Sequence, residues 1–147
     1  MNNIFTRNLK NKAIALIASA AVFGVLYLLS MTLLNEVYLF EWTARNLYCY
    51  IWAIAAVLIV FDKLIASYAV TIGNLIGVLV GQLLGDLIIS QRMKTISSET
   101  TSDMEYLLSY HYGAFIWAIT ILVFIAIGIT VQIVISKRGK TLENKIR

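Results

Sequence analysis

Four apolar runs, at about 13–34, 47–61, 68–89 and 113–136, occupy more than half of the 147 residues, and nothing else in the chain constrains its fold as strongly. In hydrocarbon every backbone N–H and C=O must be paired within the protein, so a run of about 18 to 20 apolar residues folds as a spanning helix. Three runs reach that length. The second reaches it when extended to 44–62, with tilt or snorkelling absorbing the remaining mismatch. Polarity does not alternate along the runs as barrel strands require. The chain is therefore expected to be an all-α integral membrane protein, a four-transmembrane-helix bundle forming one domain over 1–147, with spans at about 13–34, 44–62, 68–89 and 113–136. A chain that is 60% hydrophobic and 14% charged, with a mean hydropathy of +0.81, has too little polar surface to cover a soluble globule. One cysteine excludes a disulfide within the chain and a Cys-rich metal site.

Positive charge sets the expected orientation. Arg7, Lys10, Lys12, Lys63, Lys137, Arg138, Lys140, Lys145 and Arg147 fall on one side of four spans, against Arg45, Arg92 and Lys94 on the other. By the positive-inside rule both termini are cytoplasmic (N-in, C-in), with a basic tail at 137–147 and outer loops at about 35–46 and 90–112. The net charge of +4 follows from topology and needs no nucleic-acid partner. Ala18-Ser19-Ala20 resembles a signal-peptidase site, but the apolar run continues to Leu34, so an uncleaved anchor is expected. The composition fits a multi-pass protein of a plasma membrane, the bacterial inner membrane in particular. Tyr38, Phe40, Trp42, Tyr48, Tyr50 and Trp52, with Tyr106, Tyr110, Tyr112 and Trp117, form an expected aromatic belt at the outer interface.

The third span carries the strongest pattern. Gly73, Gly77, Gly81 and Gly85 recur every four residues, a ridge that lets another backbone approach closely where lipid supplies no hydrophobic drive. Ala20 and Gly24 of the first span offer a matching small pair, and another copy of the chain is the other expected partner. Asn74, Gln82 and Asp86 follow one residue after three of these glycines, about 100° round the helix, and form a polar stripe beside the ridge. Such groups are costly in lipid and should face protein or water, either as hydrogen-bond glue or as a polar path. Asp86 lies near the outer end, where Arg92 or Arg45 would pair with it. Tyr68, Thr71, Thr130 and Gln132 would continue a path inward.

Ile51-Trp52-Ala53-Ile54 and Ile116-Trp117-Ala118-Ile119 open the second and fourth spans, which suggests a two-plus-two parallel repeat. Under it Glu36 is the counterpart of Asp86, and two converging carboxylates would make a cation or proton site. In the second outer loop Ser102-Asp103-Met104-Glu105 reads as a capping box, starting a helix that either breaks at Gly113 or runs on to Ser136. His111 and Cys49, each the sole residue of its type, have no metal partners in the sequence, and no catalytic or nucleotide-binding motif is present. No metal, cofactor or catalytic residue is therefore expected.

Two functions fit these features. One is non-catalytic: a subunit, assembly factor, regulator or immunity-type protein that pairs its helices with a membrane partner or with itself. The other is a small oligomeric transporter or channel for a cation- or proton-coupled solute, with Asn74, Gln82, Asp86 and Glu36 along its path. A phage-type pore-former and an intramembrane lipid enzyme rank behind them.

Overall fold

The computed structural model of the chain describes the backbone of residues 2–95 and 110–146 and the side chains of 9–94 and 110–138. Among these residues there is no strand. The helices are α1 (Asn2–Thr32), α2 (Tyr38–Asn46), α3 (Tyr48–Val60), α4 (Leu64–Thr95) and α5 (Gly113–Ile146). Three of them, over Leu9–Thr32, Leu64–Lys94 and Gly113–Arg138, are long and apolar enough to cross a membrane, and α2 with α3 makes a fourth if that bent pair is one span. The architecture is thus consistent with a helical membrane bundle. The expected capping box at Ser102 lies outside the described residues. Residues 110–112 are not helical, so the helix beginning at Gly113 is not the tail of an unbroken one from Asp103.

The second span departs from expectation. Instead of an outer loop at 35–46 followed by one helix from 44, α2 begins at Tyr38 and meets α3 at Leu47 with a bend of 60°. Leu39, Phe40, Thr43 and Ala44 are buried, so α2 belongs to the core. Near the bend two side chains bond back to the previous turn: Thr43 Oγ1 donates to Leu39 O at 2.6 Å and Asn46 Nδ2 to Trp42 O at 2.8 Å. Bonds of this kind compete with the helix ladder and bend helices. The α3–α4 turn is a Schellman motif: Lys63 N–H donates to Leu58 O, Asp62 N–H donates to Ile59 O, and Asp62 takes the left-handed φ of 60°. Lys12 fastens α1 to this turn, its Nζ donating to the otherwise orphaned Val60 O at 3.0 Å and pairing with Asp62 at 2.9 Å.

Helix α4 is the axis of the bundle. Half of its most apolar stretch is buried, against 28% for α1 and 11% for α5, and it touches every other helix, whereas α1 and α5 do not meet among the described residues. The buried seam of α1 runs Ala15, Ser19, Phe23, Leu26 and Ser30, the spacing of one helix face. The core proper gathers Phe23, Leu26, Leu39, Phe40, Ala44, Tyr48, Val78, Trp117 and Ile121. Three members of the expected aromatic belt are therefore interior packing: Phe40, Tyr48 and Trp117 are buried, while Tyr38, Tyr50 and Tyr110 are exposed.

Helix starts in an apolar setting leave N–H groups that need acceptors, and side chains supply them here. Gln132 Oε1 of α5 accepts from the Ile65 N–H, second residue of α4, at 3.0 Å. Gln132→Leu is expected to cost about 1 kcal/mol, in the range of a lost N-cap, and to raise amide exchange in the first turn of α4 roughly five-fold. Unchanged exchange at Ile65 would show that water already satisfies that donor.

Candidate functional site

The polar residues of α4 do not form one continuous path. Asn74 is fully buried, and its Oδ1 accepts from Trp117 Nε1 at 3.1 Å. Gln82, two turns further, is half-buried and acts as a bridge: its Oε1 accepts from the Leu39 N–H at 2.8 Å, and its Nε2 donates to both Asp86 carboxylate oxygens at 2.9 Å. Leu39 is the second residue of α2, whose N-cap residue Val37 has no side chain able to cap it, so Gln82 fills that role from another helix. The two polar groups are about 12 Å apart along α4 at 1.5 Å per residue, and between them Val78, 1% exposed, forms an apolar plug.

Asp86 meets His111, where an arginine was expected. Its Oδ1 lies 3.3 Å from His111 Nε2, with the imidazole side chain 8% exposed and the carboxylate 57% exposed. His111 Nδ1 accepts from the Gly113 N–H at 3.1 Å, which fixes the neutral ring as the Nε2–H tautomer, donating to Asp86. One chain of hydrogen bonds thus runs from the first turn of α2 through Gln82, Asp86 and His111 to the first residue of α5. Tyr38 covers the imidazole, with ring centroids 4.7 Å apart. Arg45 pairs with Glu41 at 2.8 Å, and the Arg92 guanidinium lies 4.5 Å from the centre of the Tyr112 ring.

The glycine ridge faces α5, not α1. A Cβ at Gly73 would stand 2.7 Å from Phe124 Cβ, at Gly77 3.0 Å from the Trp117 ring, at Gly81 2.6 Å from Gly113 O, and at Gly85 2.3 Å from the His111 ring. Three of these glycines are sockets for rings, and at Gly81 the two backbones themselves touch. Gly128 repeats the close approach midway along α5, against Ala69 and Ala66 near the start of α4. The expected pairing with Ala20 and Gly24 is absent: Ala20 is exposed and a Cβ on Gly24 would meet nothing within 4 Å. The signal that sequence reasoning passed over is the Gly113, Trp117, Ile121, Phe124, Gly128 face of α5, spaced as one helical seam.

The remaining expected path residues are scattered. Glu36 is exposed in the connection between α1 and α2, away from Asp86's hydrogen-bond chain, and Tyr68 is exposed. Thr71 and Thr130 donate to their own helices, to Ser67 O and Ala126 O, and Gln132 caps α4. Among the described residues no group of His, Cys, Asp and Glu side chains is placed to hold a metal ion. No protein-family model, curated protein or solved structure matches the chain.

Proposed function

We propose that this chain is a multi-pass membrane protein that works without catalysis, by pairing its helices with a membrane partner or a second copy, as a subunit, assembly factor, regulator or immunity-type protein does. The observation that carries this reading is the one-sided packing of α5. It rests on α4 and touches α2, while Phe115, Ile119, Leu122, Val123 and Ile127 stay exposed. The associating surface is therefore this outer face of α5, since the α4 ridge is consumed within the chain. The orientation that goes with it places both basic ends in the cytoplasm, with the Lys12–Asp62 clamp inside and Asp86 outside, in a bacterial plasma membrane. A two-plus-two repeat is not part of this proposal: Trp117 is bonded and buried, whereas its counterpart Trp52 is half-buried with no partner.

The transporter reading rests on the exposed Asp86 carboxylate beside His111, and the Val78 plug argues against it. The test purifies the full chain from native membranes in mild detergent and reads assembly mass. Association through α5 is expected to persist in Asp86→Asn and to fail in a combined Ile119→Trp and Leu122→Trp variant. A monomer at native abundance, together with proton-coupled flux in proteoliposomes that Asp86→Asn abolishes, would replace this proposal with the transporter.

A further inference from the structure

The chain has one histidine, and it is inserted between two helices. The neutral His111 ring donates its Nε2 proton to Asp86 of α4 and accepts, through the lone pair of Nδ1, from the Gly113 N–H that opens α5. The ring edge that carries both nitrogens is wedged between glycines: a Cβ on Gly85 of α4 or on Gly113 of α5 would collide with Cε1, the atom between them. One imidazole, its side chain 8% exposed, therefore fastens the last third of α4 to the first residue of α5.

The two bonds answer a proton in opposite ways. A second proton has only Nδ1 to go to, and a protonated ring nitrogen has no lone pair with which to accept. The Gly113 N–H then faces another N–H across 3.1 Å. Gly113 is buried, and a donor in the first turn of a helix has no carbonyl of its own helix to turn to, so it is left unpaired. On the α4 side nothing is lost. The Nε2–H of the cation still donates to Asp86, and a charged donor on a carboxylate makes a stronger bond than a neutral one. Gln82 keeps its own bonds to Asp86 and to the Leu39 N–H. Around the ring, α2 contributes Tyr38, which covers it, and Glu41, which is paired with Arg45. The residues beside it contribute Tyr110 and Tyr112, stacked edge-on, with Arg92 of α4 over the Tyr112 ring. Helix α5 has no ionisable side chain before Lys137. Among the described residues Asp86 is thus the one charged group bonded to the imidazole.

We propose that His111 is a proton-operated coupling: neutral, it ties α4 to the start of α5; protonated, it holds α4 alone and frees the first turn of α5. Imidazole is the side chain whose charge ordinarily changes between about pH 5 and 8, so acid on the face of the membrane that bears Asp86, the outer face in the orientation proposed above, operates it. Phe115, on the exposed face of α5 proposed to associate, lies in the freed turn, so acid weakens that association. Only this last step rests on the association reading.

The experiment takes the full chain in phospholipid nanodiscs, labelled with heavy nitrogen in histidine and glycine, from about pH 8 to about pH 5 and follows it by NMR. With a single histidine the ring signals identify themselves. At the alkaline end Nδ1 should give the signal of a bare acceptor. As the pH falls it should gain a proton, and with the same midpoint the Gly113 amide should lose its hydrogen-bonded shift and about five-fold of its exchange protection, corrected for the intrinsic effect of pH. His111→Asn sets an amide oxygen near the place of Nδ1, so Gly113 should stay protected in that variant at both ends of the range. A ring found as the Nδ1–H tautomer at the alkaline end, a Gly113 amide that ignores protonation of the ring, or an equal acid response in His111→Asn would each overturn the proposal. Assembly mass is followed over the same range. Dissociation in acid that His111→Asn prevents supports the effect on association, whereas a constant mass beside a responding Gly113 overturns that effect and leaves the coupling standing.

Discussion

Gly81→Leu is expected to drive α4 and α5 apart, because the new side chain would have to occupy the place of the Gly113 carbonyl and of Leu39 Cδ2, which stand 2.6 and 2.7 Å from its Cβ position. Overpacking costs about 1–3 kcal/mol where neighbours yield, and a backbone carbonyl yields less than a side-chain tip, so the effect should lie at or above the upper end. The folded fraction in a denaturing-detergent titration reads it. Gly24→Leu is the matched control, the same substitution in open space, and should stay within about 0.5 kcal/mol of wild type. Equal stability of the two variants would mean that α4 and α5 do not pack through the ridge.

Trp117 should be the most sensitive ring. It is 5% exposed, fills the socket at Gly77 with its ring, sets its Cβ against Gly81, and meets Trp42 edge-on at 6.4 Å. Trp→Ala in soluble cores costs about 3–5 kcal/mol. Here about 3 is expected, because unfolding within a bilayer moves the ring into lipid and not into water. Trp117→Phe keeps most of the packing but removes the donor to Asn74, for about 1 kcal/mol. The same titration separates the two contributions. A phenylalanine variant as unstable as the alanine one would show that the Asn74 bond, not ring packing, holds this part of the bundle.

The helices were legible in the sequence because hydrocarbon leaves a run of about 20 apolar residues no other fold. The bend at Leu47 was not, since neither proline nor glycine marks it. It arises where Leu39 and Phe40 bury themselves in the bundle and where Thr43 and Asn46 bond backwards. The glycine ridge announced a close approach, but a ridge names no partner. That depends on which helix brings complementary rings, and Trp117, Phe124 and His111 do so from α5 and the residues just before it. Asp86 was visible as a costly group, whereas its contact with His111 joins positions 25 residues apart and depends on how the chain returns to the start of α5. The roles of Gln82 and Gln132 as caps were hidden for a similar reason, because each serves a helix other than its own.

Those two caps impose an order on biogenesis. The acceptor for the start of α2 is carried by α4, and the acceptor for the start of α4 is carried by α5, so each earlier segment is completed by one that leaves the ribosome later. A nascent chain halted before residue 132 would leave the first turn of α4 without its Gln132 acceptor. Helix α5, made after the segment it caps, is therefore the one that locks α4 in place.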